Sequence, residues 1–162
     1  MKEIEISGGR VLCGEIEPSG SKNAALPIIF ATVAARGTSY ILNVPDIGDI
    51  RVALKIIESL GAKVKRVGNS LEINTENLEY SPAPRDLISK IRASSYLIGA
   101  SVARFGKFKL SEFGGCNFCN RPIDMHLYAA SALGASLIGD ELVAKRLRGS
   151  RIVFEKKSVE QR

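Results

Sequence analysis

The feature that most constrains the fold of this chain is an internal repeat. Its landmarks are Ala34-Ala35-Arg36-Gly37, which returns as Ala103-Arg104-Phe105-Gly106, and Leu60-Gly61-Ala62, which returns as Leu133-Gly134-Ala135. Leu60-Gly61-Ala62 and its return lie farther apart in the sequence than Ala34-Ala35-Arg36-Gly37 and its return. The second copy therefore holds additional residues between its two landmarks. Such a repeat predicts two copies of one supersecondary unit, which bury their most apolar helices against each other.

Within each copy the hydrophobic pattern predicts helix, strand, helix, strand and strand. In the first copy these elements are predicted at residues 22–35, 38–43, 47–60, 63–67 and 70–73. In the second copy they are predicted at 87–104, 107–112, 123–133, 136–138 and 142–145, with a further short strand at 151–154. The helix at 22–35 has almost no polar face, which is typical of a buried helix. The fold class is therefore α/β, with repeat units at about 22–81 and 85–155.

Residues 1–21 precede the first unit and have a different pattern. Ile4 and Ile6 alternate with charged residues, and Val11, Cys13 and Ile16 follow a Gly-Gly turn. This alternation predicts a hairpin or two edge strands. We therefore expect two parts in the chain, N-terminal strands in 1–21 and an α/β domain in 22–162.

Composition narrows the class of protein and its partners. The chain of 162 residues has 23 Lys and Arg against 17 Asp and Glu, a net charge of +6, which favours anionic partners. No apolar run is long enough to span a bilayer, and the acidic N-terminus does not resemble a signal peptide. Three cysteines without such a signal indicate reduced thiols in a cytoplasm. Trp is absent and aromatics are only 6%, which disfavours nucleic acid as a partner.

The extra residues of the second copy are predicted in the loop 114–121, which carries a thiol. Cys116 follows Gly114-Gly115 and has Lys109 and Arg121 nearby in sequence. Nearby cations lower the pKa of a thiol and make it a better nucleophile or proton donor. The alternatives are an incidental loop cysteine, or a zinc or redox pair with Cys119. Because only Cys13 and His126 remain as soft ligands, we expect no metal site.

Three cations lie at predicted helix starts. Lys22-Asn23 opens the apolar helix after Ser-Gly-Ser, Arg121-Pro122 precedes the helix at 123–133, and Arg92 lies in the first turns of the helix at 87–104. The helix dipole opposes a cation at this end, which suggests that an anion is bound between each cation and the N-terminus of its helix. The pattern predicts a site for phosphates or carboxylates, and solvated surface charges are the alternative reading.

Several of these motifs together resemble one family. They are Ser19-Gly20-Ser21-Lys22-Asn23-Ala24-Ala25-Leu26-Pro27, Arg92-Ala93-Ser94, Gly114-Gly115-Cys116 and Arg121-Pro122-Ile123-Asp124-Met125-His126. The chain is similar to the bacterial UDP-N-acetylglucosamine 1-carboxyvinyltransferases from end to end, up to about Val159. The cysteine loop distinguishes that family from the related shikimate-phosphate enolpyruvyl transferases. The loop of this chain is unusual at residues 117–120, which are bulkier than the small residues common there.

The resemblance implies an inside-out α/β fold with buried helices and solvent-facing sheets. It implies transfer of the enolpyruvyl group of phosphoenolpyruvate to the 3-hydroxyl of UDP-N-acetylglucosamine, with release of phosphate and without a cofactor. Cys116 and Lys22 would be catalytic, with Cys116 as general acid or pyruvate-adduct residue and as the target of fosfomycin. Lys22, Asn23 and Arg121 would bind phosphoenolpyruvate. The UDP-sugar would be bound by Asn23, Arg92, Arg121, Pro122, Ile123, Asp124, Met125, Ser158 and Val159.

The family has two such domains, and its active site lies between them. The chain resembles about the first of these domains, so we expect it to hold half of the site. In the family, the first twenty or so residues pack on the other domain, and the catalytic base Asp and a further phosphoenolpyruvate-binding Arg also lie there. Two alternatives are a non-catalytic UDP-sugar-binding domain and one half of a split enzyme that needs a second chain. A basic RNA-binding module is a third, which the scarcity of aromatics disfavours.

Overall fold

Two antiparallel sheets with the same strand order organise the chain. The structure is a computed structural model that describes residues 3–111, 113–114 and 123–154. The first sheet contains β1 (Thr38–Ile41), β2 (Lys63–Val67) and β3 (Ser70–Asn74) in the order β1–β3–β2. The second contains β4 (Lys107–Lys109), β5 (Ser136–Ile138) and β6 (Glu141–Val143) in the order β4–β6–β5. The first, third and second strands of each unit pair in the same way, which confirms the prediction of two repeated units.

The helices also follow the repeat. The first unit has α1 (Lys22–Ala31) and α2 (Gly48–Ser59), and the second has α3 (Arg85–Ile88), the 3₁₀ helix η1 (Arg92–Tyr96), α4 (Leu97–Phe105) and α5 (Asp124–Ala132). α1 packs against α2, η1 and α4, so it lies at the junction of the two units. Each unit therefore contributes helices to a shared interior.

The core lies between the helices and the inner faces of the sheets. It includes Ile29 and Phe30 of α1, Ile57 of α2, Ile73 of β3 and Leu142 of β6, which are almost fully buried. The outer faces of the strands are exposed, as the exposed side chains of β2 show. The predicted burial of the first helix is correct for only one of its faces, because Ile28 on the other face is 49% exposed.

The glycines that mark the repeat have the same backbone conformation in both units. Gly37 and Gly106 have φ angles of 98° and 73°, and Gly61 and Gly134 have φ angles of 98° and 102°. A left-handed residue at the end of a helix is disfavoured by a Cβ, so glycine is the preferred residue there. Gly61, Gly106 and Gly134 thus mark the ends of α2, α4 and α5, whereas Gly37 follows the turns that come after α1.

The helix predicted at 87–104 is interrupted, and this prediction is therefore wrong in its continuity. The chain is helical at α3, extended at Ile91, and then continues through η1 into α4. The buried hydroxyl of Ser94 donates hydrogen bonds to the carbonyl oxygens of Ile88 and Ile91, at 2.8 Å and 2.6 Å. A serine that bonds the preceding turn competes with the regular helical pattern, which explains the break.

Two predicted strand regions are not strands in the structure. Residues 3–21 contain no strand, and the side chains of Ile4, Ile6, Val11 and Ile16 are 85–97% exposed. Residues 151–154 also contain no strand. An isolated pair of strands is marginally stable in water, and neither segment pairs with one of the two sheets in the described part of the chain.

Polar contacts join the two units. The guanidinium of Arg104 donates hydrogen bonds to the carbonyl oxygens of Ala35, Thr75 and Glu76 in the first unit. Between the units, the hydroxyl of Tyr80 donates to a carboxylate oxygen of Glu141 at 3.2 Å. Burial, followed by this bond to Glu141, raises the pKa of Tyr80. The interface between the repeats therefore combines apolar helix packing with directed hydrogen bonds.

Candidate functional site

Lys22 lies at the first residue of α1, where the sequence predicts an anion-binding cation. Its Nζ atom is 2.8 Å from Oδ2 of Asp49, which lies in the first turn of α2. The two side chains are 47% and 41% exposed, and the neighbouring Asn23 is also exposed. The anion that the sequence predicts beside Lys22 is therefore supplied, in this structure, by a carboxylate of the chain itself. Sequence reasoning did not identify Asp49, because it lies 27 residues away.

The loop before α1 is held against the loop before α2. A Cβ built on Gly20 would overlap the carbonyl oxygen of Asn43, so only glycine fits at this close approach. Asn43 has a positive φ of 53°, which Asn tolerates better than most residues. The following residue, Val44, is buried, and its N–H donates to the carbonyl of Asn69 at 2.7 Å. The Gly20 contact fixes the backbone two residues before Lys22.

A second ion pair lies beside the first. The guanidinium of Arg51 donates two hydrogen bonds to the carboxylate of Asp46, at 2.8 Å and 2.7 Å. The hydrogen bond from Arg51 holds the pKa of Asp46 below its ordinary value. Asp46 and Asp49 are thus three residues apart but have different cationic partners, Arg51 and Lys22.

Arg92 and the start of the cysteine loop are brought together. Arg92 is the first residue of η1, a helix that packs against α1, and it is half-buried. The N–H of Gly114 donates to the carbonyl of Ile88 at 3.2 Å, and a Cβ on Gly114 would overlap the carbonyl oxygen of Ser89. The chain therefore enters the cysteine loop directly against the segment that precedes Arg92. No local sequence pattern indicates this contact.

Ile123, Asp124 and Met125 lie at the beginning of α5, which packs against α4 and β5. Asp124 is exposed in the first turn, where a carboxylate interacts favourably with the helix dipole. The other predicted site residues, Cys116, Arg121, Pro122, Ser158 and Val159, lie outside the described residues, as does Cys119. Cys13 is a free, exposed thiol.

An open cleft of about 730 Å³ lies elsewhere, where the linker between the units meets the second sheet. Its lining residues are Pro82, Ala83, Arg85, Lys109, Leu110, Ser111 and Asp140. Lys109 Nζ is 3.5 Å from Asp140 Oδ2, so one of its cations is paired with an acid of the same cleft. None of the described residues predicted to bind substrate lines this cleft.

The part of the chain that the structure describes contains neither a cluster of metal-binding side chains nor a helix able to span a membrane. No group of three or more His, Cys, Asp or Glu side chains has an arrangement that could hold a metal ion there. None of the helices described is both long and apolar enough to cross a membrane.

The two-unit α/β fold and the motifs around Lys22 and Arg92 define a class of protein. Residues 6–160 match the family model described as EPSP synthase (3-phosphoshikimate 1-carboxyvinyltransferase). The chain belongs to this family. Among solved structures, it is similar to the enolpyruvyl transferase NikO from Streptomyces tendae, with a TM-score of 0.72 and 28% identity over 86% of this chain and 32% of that one.

Relatives with a more specific description match almost the whole chain. It is 43% identical to the UDP-N-acetylglucosamine 1-carboxyvinyltransferase of Trichlorobacter lovleyi and 41% identical to that of Chlorobaculum parvum, in each case over 98% of its length. The aligned region is 39% of the length of each relative. These comparisons confirm the resemblance and the fold class that the motifs predict.

Proposed function

We propose that the chain forms one side of the active site of an enolpyruvyl transferase that acts on UDP-N-acetylglucosamine. The reaction transfers the enolpyruvyl group of phosphoenolpyruvate to the 3-hydroxyl of the sugar and releases phosphate. The observation that carries the proposal is 41–43% identity, over 98% of the chain, to two enzymes with this description. Peptidoglycan synthesis in the cytoplasm is the corresponding biological role.

Phosphoenolpyruvate binding is assigned to Lys22, Asn23 and Arg121. Lys22 and Asn23 are exposed at the N-terminal end of α1, so a ligand in solution can reach both residues. A helix N-terminus adds unpaired N–H groups and a positive potential, which favour phosphate or carboxylate. The net charge of +6 favours the approach of both anionic substrates.

UDP-N-acetylglucosamine binding is assigned to Asn23, Arg92, Arg121, Pro122, Ile123, Asp124, Met125, Ser158 and Val159. Of these, Arg92 is supported by the packing of η1 against α1, which carries Asn23. Arginine suits a diphosphate because its guanidinium forms paired hydrogen bonds with phosphate oxygens.

The chemistry requires a proton donor at C3 of the enolpyruvyl group. As the 3-hydroxyl gives its proton to a base, assigned to the second domain, its oxygen adds to C2 while C3 accepts a proton from the acid, and a tetrahedral adduct forms. Loss of a C3 proton and of phosphate then restores the double bond. We assign Cys116 as the general acid, or as the residue that forms a covalent adduct with phosphoenolpyruvate, and as the thiol that fosfomycin alkylates. The contact of Gly114 with the segment before Arg92 supports a cysteine loop that starts beside the site.

The other side of the site is assigned to a second domain or a second chain. The chain spans 39% of the length of its relatives, and the apolar side chains of residues 4–16 are exposed. We infer that residues 1–21 form strands on that second domain, and that 22–162 form the enolpyruvyl-transferase-like domain with units 22–81 and 85–155. A chain that only binds UDP-sugar is the alternative.

Calorimetric titration with phosphoenolpyruvate and UDP-N-acetylglucosamine tests the assignment. Lys22→Gln removes a charged hydrogen-bond donor, a loss of about 1.5–3 kcal/mol, so we expect phosphoenolpyruvate to bind tenfold or more weakly. Lys55→Gln is the matched control, because Lys55 is exposed on α2 and its loss changes the net charge equally. Fosfomycin should alkylate Cys116 and leave the exposed Cys13 unmodified in a mass-spectrometric digest.

Phosphate release distinguishes the full reaction from binding alone. We expect the isolated chain to bind substrates with little turnover. Robust turnover that Cys116→Ala abolishes would contradict the one-sided site. If neither substrate binds and fosfomycin labels Cys13 and Cys116 equally, the proposed function is wrong.

A further inference from the structure

The ion pair between Lys22 and Asp49 is not explained by the packing of the helices that carry it. α1 and α2 contact each other through buried apolar side chains such as Ile29 and Ile57. The Nζ–Oδ2 distance is 2.8 Å, but both side chains remain almost half exposed. Exposed ion pairs contribute little to stability. A close pair at this place therefore points to a role in the site.

The ion pair orients the side chain of Lys22. A lysine side chain has a flexible four-carbon stem, and at the first residue of α1 the helix dipole repels its ammonium. Asp49 lies in the first turn of α2, where the dipole favours a carboxylate. One Nζ hydrogen bond to Asp49 holds the ammonium in place. An ammonium has three N–H donors, so two remain for a ligand.

We propose that Asp49 is a positioning residue, which holds the Lys22 ammonium at the start of α1 with two donors available for an anionic ligand. The identity of that ligand as phosphoenolpyruvate rests on the proposed function. A side chain that is fixed before the ligand arrives loses less conformational entropy on binding. The carboxylate of Asp49 also carries a negative charge, which by itself repels the anion.

These two effects of Asp49 predict opposite results for its removal. If Asp49 only repels the ligand, Asp49→Ala should tighten phosphoenolpyruvate binding. If it positions Lys22, Asp49→Ala should weaken binding although the site becomes more positive. Asp49→Asn keeps an oxygen that accepts the Lys22 hydrogen bond and removes the charge, so it should bind more tightly than Asp49→Ala.

Asp46→Asn is the matched control. Asp46 lies three residues before Asp49 and has Arg51 as its partner, so the variant changes the same charge beside the same helix without touching Lys22. The experiment measures phosphoenolpyruvate affinity by calorimetry and the Lys22 ammonium signal by ¹⁵N NMR, assigned with Lys22→Gln. We expect Asp49→Ala to lose the protected ammonium signal and to bind at least tenfold more weakly. We expect Asp46→Asn to match the unmodified chain, and all variants to keep its melting temperature within about 2 °C, because exposed pairs add little stability.

Two results would overturn the proposal. One is tighter or unchanged phosphoenolpyruvate binding in Asp49→Ala. The other is a Lys22 ammonium signal that is the same in Asp49→Ala as in the unmodified chain. The NMR signal needs no ligand, so it still decides the role of Asp49 if the unmodified chain does not bind phosphoenolpyruvate. In that case the proposed function fails separately.

Discussion

At the scale of single residues, two glycines limit what the candidate site can tolerate. Gly20 contacts the carbonyl of Asn43, and Gly114 contacts the segment 89–91. The N–H of Gly114 is hydrogen-bonded to the carbonyl of Ile88, and a Cβ at this residue would overlap backbone atoms. Its role is close packing at the base of the loop.

Gly114→Ala should therefore destabilise the chain. The new Cβ would overlap Ser89 O and lie 2.6 Å from Ile91 N, so backbone must shift. Overpacking of this kind costs about 1–3 kcal/mol of the free energy of unfolding, which chemical denaturation measures. Gly149→Ala is the control, because a Cβ there meets no atom within 4 Å. Equal stability of the two variants would show that Gly114 is not packed against Ser89.

At the scale of elements, the sequence predicts helices and strands correctly where residues close in sequence determine them. The helix predicted at 47–60 and the strands predicted at 63–67 and 70–73 agree with α2, β2 and β3. The break between α3 and η1 could not be predicted, because it depends on where the buried hydroxyl of Ser94 points. The strands expected at 4–16 and 151–154 are not formed in the described part of this chain, because alternation does not say whether a partner strand is present.

Gly99→Ala should stabilise α4. Gly99 is exposed within the helix, and a Cβ there meets no atom within 4 Å. Alanine loses less conformational freedom on folding, so we expect a gain of about 0.5–1 kcal/mol in the free energy of unfolding. Gly106→Ala, at the end of the same helix, should do the opposite, since its φ is 73° and its Cβ would lie 2.8 Å from Ala144 O. A loss of stability in Gly99→Ala would contradict this reading of α4.

At the scale of the whole molecule, the repeat could be predicted but the contacts between distant segments could not. Paired landmarks in the sequence indicate two units, and the two sheets share one order. The pairing of Lys22 with Asp49 lies within the first unit, and the approach of Gly114 to Ser89 lies within the second. Each depends on how segments distant in sequence pack together inside one unit. No local pattern carries that information, so the site could be predicted as a set of residues but not as a geometry.

Removal of residues 1–18 should leave the melting temperature within about 1 °C of the unmodified chain, because the described residues of this segment are exposed and lie outside both sheets. Removal of residues 1–21 should lower it, since Gly20 contacts Asn43 and the carbonyl of Ser21 accepts the N–H of Ala25. Differential scanning calorimetry measures both. A lower melting temperature already in the shorter deletion would show that the segment packs on the domain.

Arg104 makes the two repeat units different from each other at their junction. By the landmarks, Arg104 in the second unit is equivalent to Ala35 in the first, and its guanidinium bonds the carbonyl of that same Ala35. Two copies of the first unit would put alanine at both positions and leave the carbonyls of Ala35, Thr75 and Glu76 without this donor. Two copies of the second unit would bring two guanidinium groups towards each other. The contact is therefore asymmetric, because the second unit supplies the donor and the first unit supplies the acceptors.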